Sequence, residues 1–198
     1  MQEQNSLRRS NRQRTRETKA ALLKAARKLF VEKGYAETST PEIVKAAGIT
    51  RGALYHHYTD KEDLFRAVLH AEHETVAKEI KNSSTQEQAN AIDALLLGSH
   101  GFLNAMNDKG RVRLMLLDGP AVLGRSKLDE IDRETSADEL RIGLQTAMEA
   151  GEIRTLPLSE LTAQLSAMFD RAALAIADGD KKEDHMKVFE AIFESLKV

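Results

Sequence analysis

The residues best equipped for chemistry gather in one short stretch: Thr50, Arg51, Tyr55, His56, His57 and Lys61. Thr50, Tyr55, His56 and His57 offer hydroxyl or imidazole donors to phosphate oxygens or base edges, and Arg51 brings a planar cation that pairs bidentately with guanine. Lys61 sits at the start of an expected helix, where free backbone amides attract anions. Gly52 and Ala53 are small enough to let their backbone come up against a DNA wall. Taken singly, each has a plainer alternative: Tyr55 or Tyr58 as core, His56 and His57 as ordinary surface. Together they describe one helix that meets nucleic acid.

Other groups carry less. His70 and His73 stand three apart on one helix, with Glu74 or His100 available to complete a metal site, or all are polar surface. Asp170 and Arg171 interrupt an apolar run, so either they enter a cavity or interface, or one faces solvent and the other pairs locally. Met106, Met115 and Met148, with Phe102 and Phe169, either line an effector cavity or pack as core. The sequence has no Cys, no phosphate-binding Gly loop and no clustered carboxylate motif, so an enzyme is not expected and no cofactor is called for.

The elements that hold the first group follow from caps. Leu22, Leu23, Ala26, Leu29 and Phe30 form one stripe of a helix over about 14–33, and Gly34 suits its C-cap. Thr40-Pro41, or a Ser39/Glu42 capping box, starts a helix that Gly48 ends about two turns later. Thr50 caps the next short helix, and a Thr59/Glu62 box opens a long one. Two short helices joined by a Gly-containing turn, braced by a longer one, make a helix-turn-helix over about 38–58. Ile43, Val44, Ala47, Ile49 and Leu54 supply the contacts where the short helices cross.

Beyond it the pattern stays helical, with no period-2 strand. Asn82-Ser83-Ser84-Thr85 is a polar break and the candidate boundary between two subdomains, Ser84/Glu87 offers a cap for the next helix, and Asp118-Gly119-Pro120 ends a short apolar one. Residues 121–149 form one helix or two, and the last two helices follow Pro157 and the Asp180–Asp184 loop. Their apolar arcs are wide, with Leu161, Leu165, Phe189, Ile192 and Phe193 expected at a homodimer interface built as a four-helix contact.

The net charge of −2 hides an asymmetry. Residues 1–60 carry 12 Lys+Arg against 6 Asp+Glu, the rest 17 against 25. A basic head suits phosphates. Residues 1–13 are expected as a basic flexible arm, with Arg8 to Arg16 as an added phosphate or minor-groove contact. No apolar run approaches the roughly 18–20 residues of a membrane span, and a cytoplasmic protein with no membrane partner is expected.

Gly34-Tyr35, Thr38, Ile43, Ala47-Gly48-Ile49-Thr50, Gly52, Leu54 to Tyr58 and Lys61 to Phe65 resemble the N-terminal module of TetR-family regulators over residues 20–66. Leu117 to Gly124 resembles one group within that family. Tyr58 and Val44 depart from the usual Phe and Ala as packing variants. The resemblance implies an all-α, TetR-like fold: a three-helix helix-turn-helix head over 14–60 and a C-terminal helical bundle over 61–198 for effector binding and dimerisation. It implies phosphate contacts from Thr40, Tyr55, His57 and Lys61, and base-facing positions at Thr50, Arg51, Ala53 and His56. It further implies a repressor that leaves a pseudo-palindromic operator when a small, largely apolar effector binds, its pocket expected among Phe102, Met106, Met115, Met148, Phe169 and Asp170.

Overall fold

The computed structural model describes the backbone of residues 2–83, 90–135 and 137–198, and the side chains of 12–83, 90–135 and 139–198. The described residues are helical, apart from turns and an isolated antiparallel bridge between Ile153 and Lys197. They divide into two compact units, residues 1–69 and 70–198. The division falls inside a helix, not at the polar break, part of which (Ser84 and Thr85) lies outside the described residues.

The first unit contains α1 (Gln2–Lys33), α2 (Thr40–Ala47), α3 (Arg51–His57) and the opening of α4 (Lys61–Ser83). α1 begins at Gln2 where a flexible arm was expected up to residue 13. Gly34 takes φ 85° and donates its N–H to Phe30 O at 2.8 Å, which closes α1 as a C-cap should. Buried Thr38 then donates to Gly34 O at 2.8 Å and Leu29 O at 3.2 Å, satisfying carbonyls the helix end leaves open.

The α2 cap is Ser39: its Oγ accepts the Glu42 N–H, and the Glu42 carboxylate accepts the Ser39 N–H at 3.0 Å. The α4 cap lies one residue later than the expected Thr59/Glu62 box. Asp60 Oδ1 accepts the Asp63 N–H at 2.8 Å, and Asp63 reaches back to the Thr59 N–H at 3.0 Å. A carboxylate at each position does what the hydroxyl–glutamate pair would have done. Leu22, Ala26, Phe30, Ile43, Leu54, Leu64 and Phe65 fill the core of this unit. The Phe30 and Phe65 rings meet edge to face at 5.1 Å.

The second unit holds α5 (Ala91–Ala105), α6 (Lys109–Val112), α7 (Gly119–Leu123), α8 (Arg125–Glu134), α9 (Ala137–Glu149), α10 (Leu158–Ala177) and α11 (Lys182–Leu196). The Ser84/Glu87 cap lies outside the described residues; α5 is capped by Asn90, which accepts the Asp93 N–H at 2.9 Å. Asp118-Gly119-Pro120 does not stop its helix. Residues Arg113–Asp118 widen into a π-helical stretch in which Gly119 donates to Leu114 O, and Pro120 enters α7 at the first turn, where its missing N–H costs little. Leu95, Leu103, Leu144, Leu165, Phe169, Phe189 and Phe193 form the core, with the Phe169 and Phe189 rings stacked at 4.1 Å.

Candidate nucleic-acid interface and effector cavity

α3 is too short to be stable alone, so its neighbours must hold it. Gly48, at φ 66°, makes the turn from α2, and a Cβ there would meet nothing: the position needs glycine for its backbone, not for space. Thr50 caps α3 by accepting the Ala53 N–H at 3.2 Å, and Leu54 is the residue the helix buries. That leaves Thr50, Arg51, Gly52, Tyr55 and His56 on an exposed face.

Tyr55 is 43% exposed, so it is surface and not core, whereas Tyr58 is buried at 7%. The Arg51 guanidinium lies 5.5 Å from the Tyr55 ring centroid. The Thr40 hydroxyl, then Arg51, draw the Tyr55 phenol below its ordinary pKa, which gathers Thr40, Arg51 and Tyr55 into one donor cluster. His56 and His57 pack edge to face at 5.1 Å. Partial burial, then the charges of His56 and Lys19, push the His57 imidazole down. Arg14 and Thr18 of α1 join Ala53, His56 and His57 around an open groove of about 420 Å³. Arg14 belongs to the expected Arg8 to Arg16 contact; Thr18 was not singled out from sequence, and its spacing of four from Arg14 on the same helix was the available signal. Of the expected basic arm, Arg12, Arg14 and Arg16 are exposed, and the side chains of Arg8 and Arg9 lie outside the described residues.

The Lys61 ammonium donates to Tyr35 O at 2.9 Å and Thr38 O at 3.0 Å and lies 4.2 Å from the Tyr35 ring centroid. These bonds pin the loop between α1 and α2, a role the sequence reading did not assign to Lys61 beside the phosphate contact expected of it. Two of its three donors are already committed to backbone that needs them.

In the second unit a cavity of about 190 Å³ opens among α5, α8, α9, α10 and the C-terminal half of α4. Phe102, Phe169 and Asp170 line it, as expected. Met106 and Met115 do not: both are buried, and Met148 packs against the core. Their flexible side chains fill irregular gaps, which is what methionine does in most cores. The lining that sequence missed includes Asp132, Glu139, Ala94, Gly98 and Gly143. Small residues on facing helices were the signal: a Cβ on Gly143 would come within 2.8 Å of Leu95 Cδ2. Asp170 enters the cavity while Arg171 faces solvent. Burial, then the Asp132 charge, lifts the Asp170 carboxyl to about 6.

The dimer residues also need correction. Leu165, Phe189 and Phe193 are 2%, 2% and 0% exposed within the single chain, and Leu161 and Ile192 pack against the same core. The exposed positions of these helices include Ala163, Gln164, Ala167, Met168 and Arg171 on α10 and Lys187, Val188, Glu190, Ala191 and Glu194 on α11. His70 pairs with Glu74 at 3.5 Å and Glu134 at 4.0 Å, and His73 lies 3.5 Å from Asp132. No group of three such side chains suited to a metal occurs among the described residues. No helix among them is long and apolar enough to cross a membrane.

Residues 22–68 match the bacterial regulatory proteins of the tetR family, and residues 92–197 match the tetracyclin repressor-like C-terminal domain. The HTH-type transcriptional regulator AcrR of Shigella flexneri is 47% identical over 60 residues, covering 30% of this chain but only 28% of that relative. The HTH-type transcriptional repressor AcnR of Corynebacterium glutamicum is 26% identical over 173 residues, covering 86% of this chain and 88% of the relative. A solved TetR-family transcriptional regulator from Pectobacterium atrosepticum superposes with a TM-score of 0.73 at 28% identity, covering 94% and 97% of the two chains. The second match alone spans more than half the chain, and with the helix-turn-helix head it places this protein in the TetR family of bacterial regulators.

Proposed function

We propose that the protein is a sequence-specific transcriptional regulator, a repressor that binds a pseudo-palindromic operator as a homodimer and leaves it when a small effector occupies the α5–α10 cavity. One observation carries the reading: α3 presents Thr50, which also caps it, with Arg51, Gly52, Tyr55 and His56 on an exposed face. Arg51, Thr50, Ala53 and His56 read bases, Thr40, Tyr55 and His57 hold phosphates, and Lys61 acts through the loop it pins. Half-sites stand about 34–36 Å apart, or a multiple of it. The protein works where the chromosome is, in the cytoplasm.

Selection from random duplex DNA, followed by gel shift, tests this. A palindromic consensus is expected. Tyr55→Ala lowers affinity for every sequence, whereas Arg51→Ala alters the consensus at one position per half-site and costs about 1–3 kcal/mol there. Enrichment of no sequence, or an unchanged affinity in both variants, overturns the proposal.

A further inference from the structure

We infer that the cavity between α5 and α10 selects a positively charged organic molecule: an amine or quaternary ammonium carried on a single-ring apolar body. The inference rests on the effector part of the proposed function and gives that effector a chemical class.

The walls set the class. Ile80, Leu95, Phe102, Leu140 and Phe169 make most of the surface apolar. Into this surface three helices each deliver a carboxylate: Asp132 from α8, Glu139 from α9 and Asp170 from α10. None of the described lining residues is Lys, Arg or His. Outside the lining, Arg125 lies 3.9 Å from Asp170 with its side chain 64% exposed, and His73 lies 3.5 Å from Asp132. The rise of the Asp170 carboxyl toward 6 has burial as its first cause and Asp132 as its second, so carboxylates and cavity already oppose one another.

The Asp132 and Asp170 side chains, 35% and 31% exposed, are only partly hydrated beside an apolar wall, and a further countercharge offsets that cost. An organic cation supplies that charge, and its apolar body covers the phenylalanines, whose ring faces also attract cations. An anion meets three like charges. A neutral ligand gains only the apolar contacts and leaves the carboxylates as they were. Size fits the same description: an apolar cavity near 150 Å³ holds benzene, so about 190 Å³ takes one ring with a short chain.

The test is calorimetric titration of the full chain, without DNA, against 4-phenylbutylamine, 4-phenylbutyramide and 4-phenylbutyrate, which carry charges of +1, 0 and −1 on one apolar body near pH 7. The amine binds at least about ten-fold tighter than the amide, and the carboxylate binds weakest. Asp170→Asn and Glu139→Gln each remove most of the preference for the amine and leave amide affinity within about two-fold. Circular dichroism confirms folding, and the half-buried Glu139 makes its variant informative should Asp170→Asn misfold. An amine bound no tighter than the amide, no amine binding, or a preference that survives in the folded variants overturns the inference. A gel shift with the selected operator is read separately: amine binding without DNA release sinks the effector role and leaves the charge selection standing.

Discussion

Gly52 separates reading DNA from folding. A Cβ there meets no atom within 4 Å, and its backbone is ordinary helix, so nothing internal asks for glycine. Gly52→Ala is therefore expected to hold or raise stability, by up to about 0.5–1 kcal/mol, while operator affinity falls because the added methyl stands between α3 and the groove. Thermal unfolding beside a gel shift decides it; a loss of both together refutes the role. Lys61 makes the opposite case. Lys61→Met leaves the Thr38 carbonyl without its side-chain donor and the Tyr35 carbonyl with only the Thr38 N–H at 3.3 Å, so the head should lose about 1–3 kcal/mol of stability in chemical denaturation. A variant that binds DNA poorly yet melts like the parent would return Lys61 to phosphate contact. Asp170 gives a pH signature with a definite sign. Its folded pKa, about 6, stands above the ordinary 3.8, so its ionised form costs stability above that window and nothing below it. Asp170→Asn should raise the melting temperature at pH 7.5 and lose that advantage by pH 4; an equal effect at both values rules the shift out. The groups around it are Asp132, Asp129, Arg125 and His73.

Elements were legible at the ends where one local rule has no competitor nearby, unlike the α4 cap, where Asp60 and Asp63 displace the Thr59/Glu62 box. The Ser39–Glu42 box and the turn at Gly48 depend on residues within four positions, and both stand where capping chemistry put them. The bridge from Lys33 to Glu42 at 2.5 Å was not legible, because it joins residues nine apart on different helices; with the Ser39 bonds it holds the Glu42 carboxyl down to about 2. Pro120 misled for the same reason: a π-helical turn absorbs a proline that a regular helix would not, and nothing in the tripeptide announces it. The buried pair of Arg111 and Glu72 at 2.9 Å is the clearest long-range element contact in the second unit. Arg111 also donates to Ala105 O, so it joins the C-terminal half of α4, the end of α5 and α6. Arg111→Ala takes the guanidinium from buried Glu72, and a cost of about 3–5 kcal/mol is expected in urea unfolding. A cost under about 1 kcal/mol would mean that Glu72 reaches water instead. The double substitution with Glu72→Ala should then recover part of the loss, since no buried charge remains.

At the scale of the whole molecule, sequence located the head but assigned to the interface residues that the single chain packs into its own core, and one physical fact explains both. The head is built from contacts within about 45 residues, whereas the face a helix buries in a bundle depends on which other helices arrive. α11 carries apolar residues around a wide arc, and the arc with Phe189 and Phe193 was claimed by the unit's own core. What remains outside is a mixed surface in which Ala163, Ala167, Met168, Val188 and Ala191 stand among Gln164, Arg171, Lys187 and Glu190. Val188 is 53% exposed and Met168 37%, and small alanines between them let a second pair of helices approach closely. A two-fold contact uses each such residue twice, so one charge placed there is buried twice, facing its own copy. Val188→Glu and Ala167→Glu should each weaken self-association by about 100-fold or more and leave the melting of the single chain nearly unchanged. Sedimentation velocity against concentration reads this directly. A parent that sediments as a monomer, or a variant that stays dimeric, would move the interface elsewhere. Operator affinity should fall with the dimer, because two heads held at a fixed spacing bind with a high effective concentration that separate heads lack.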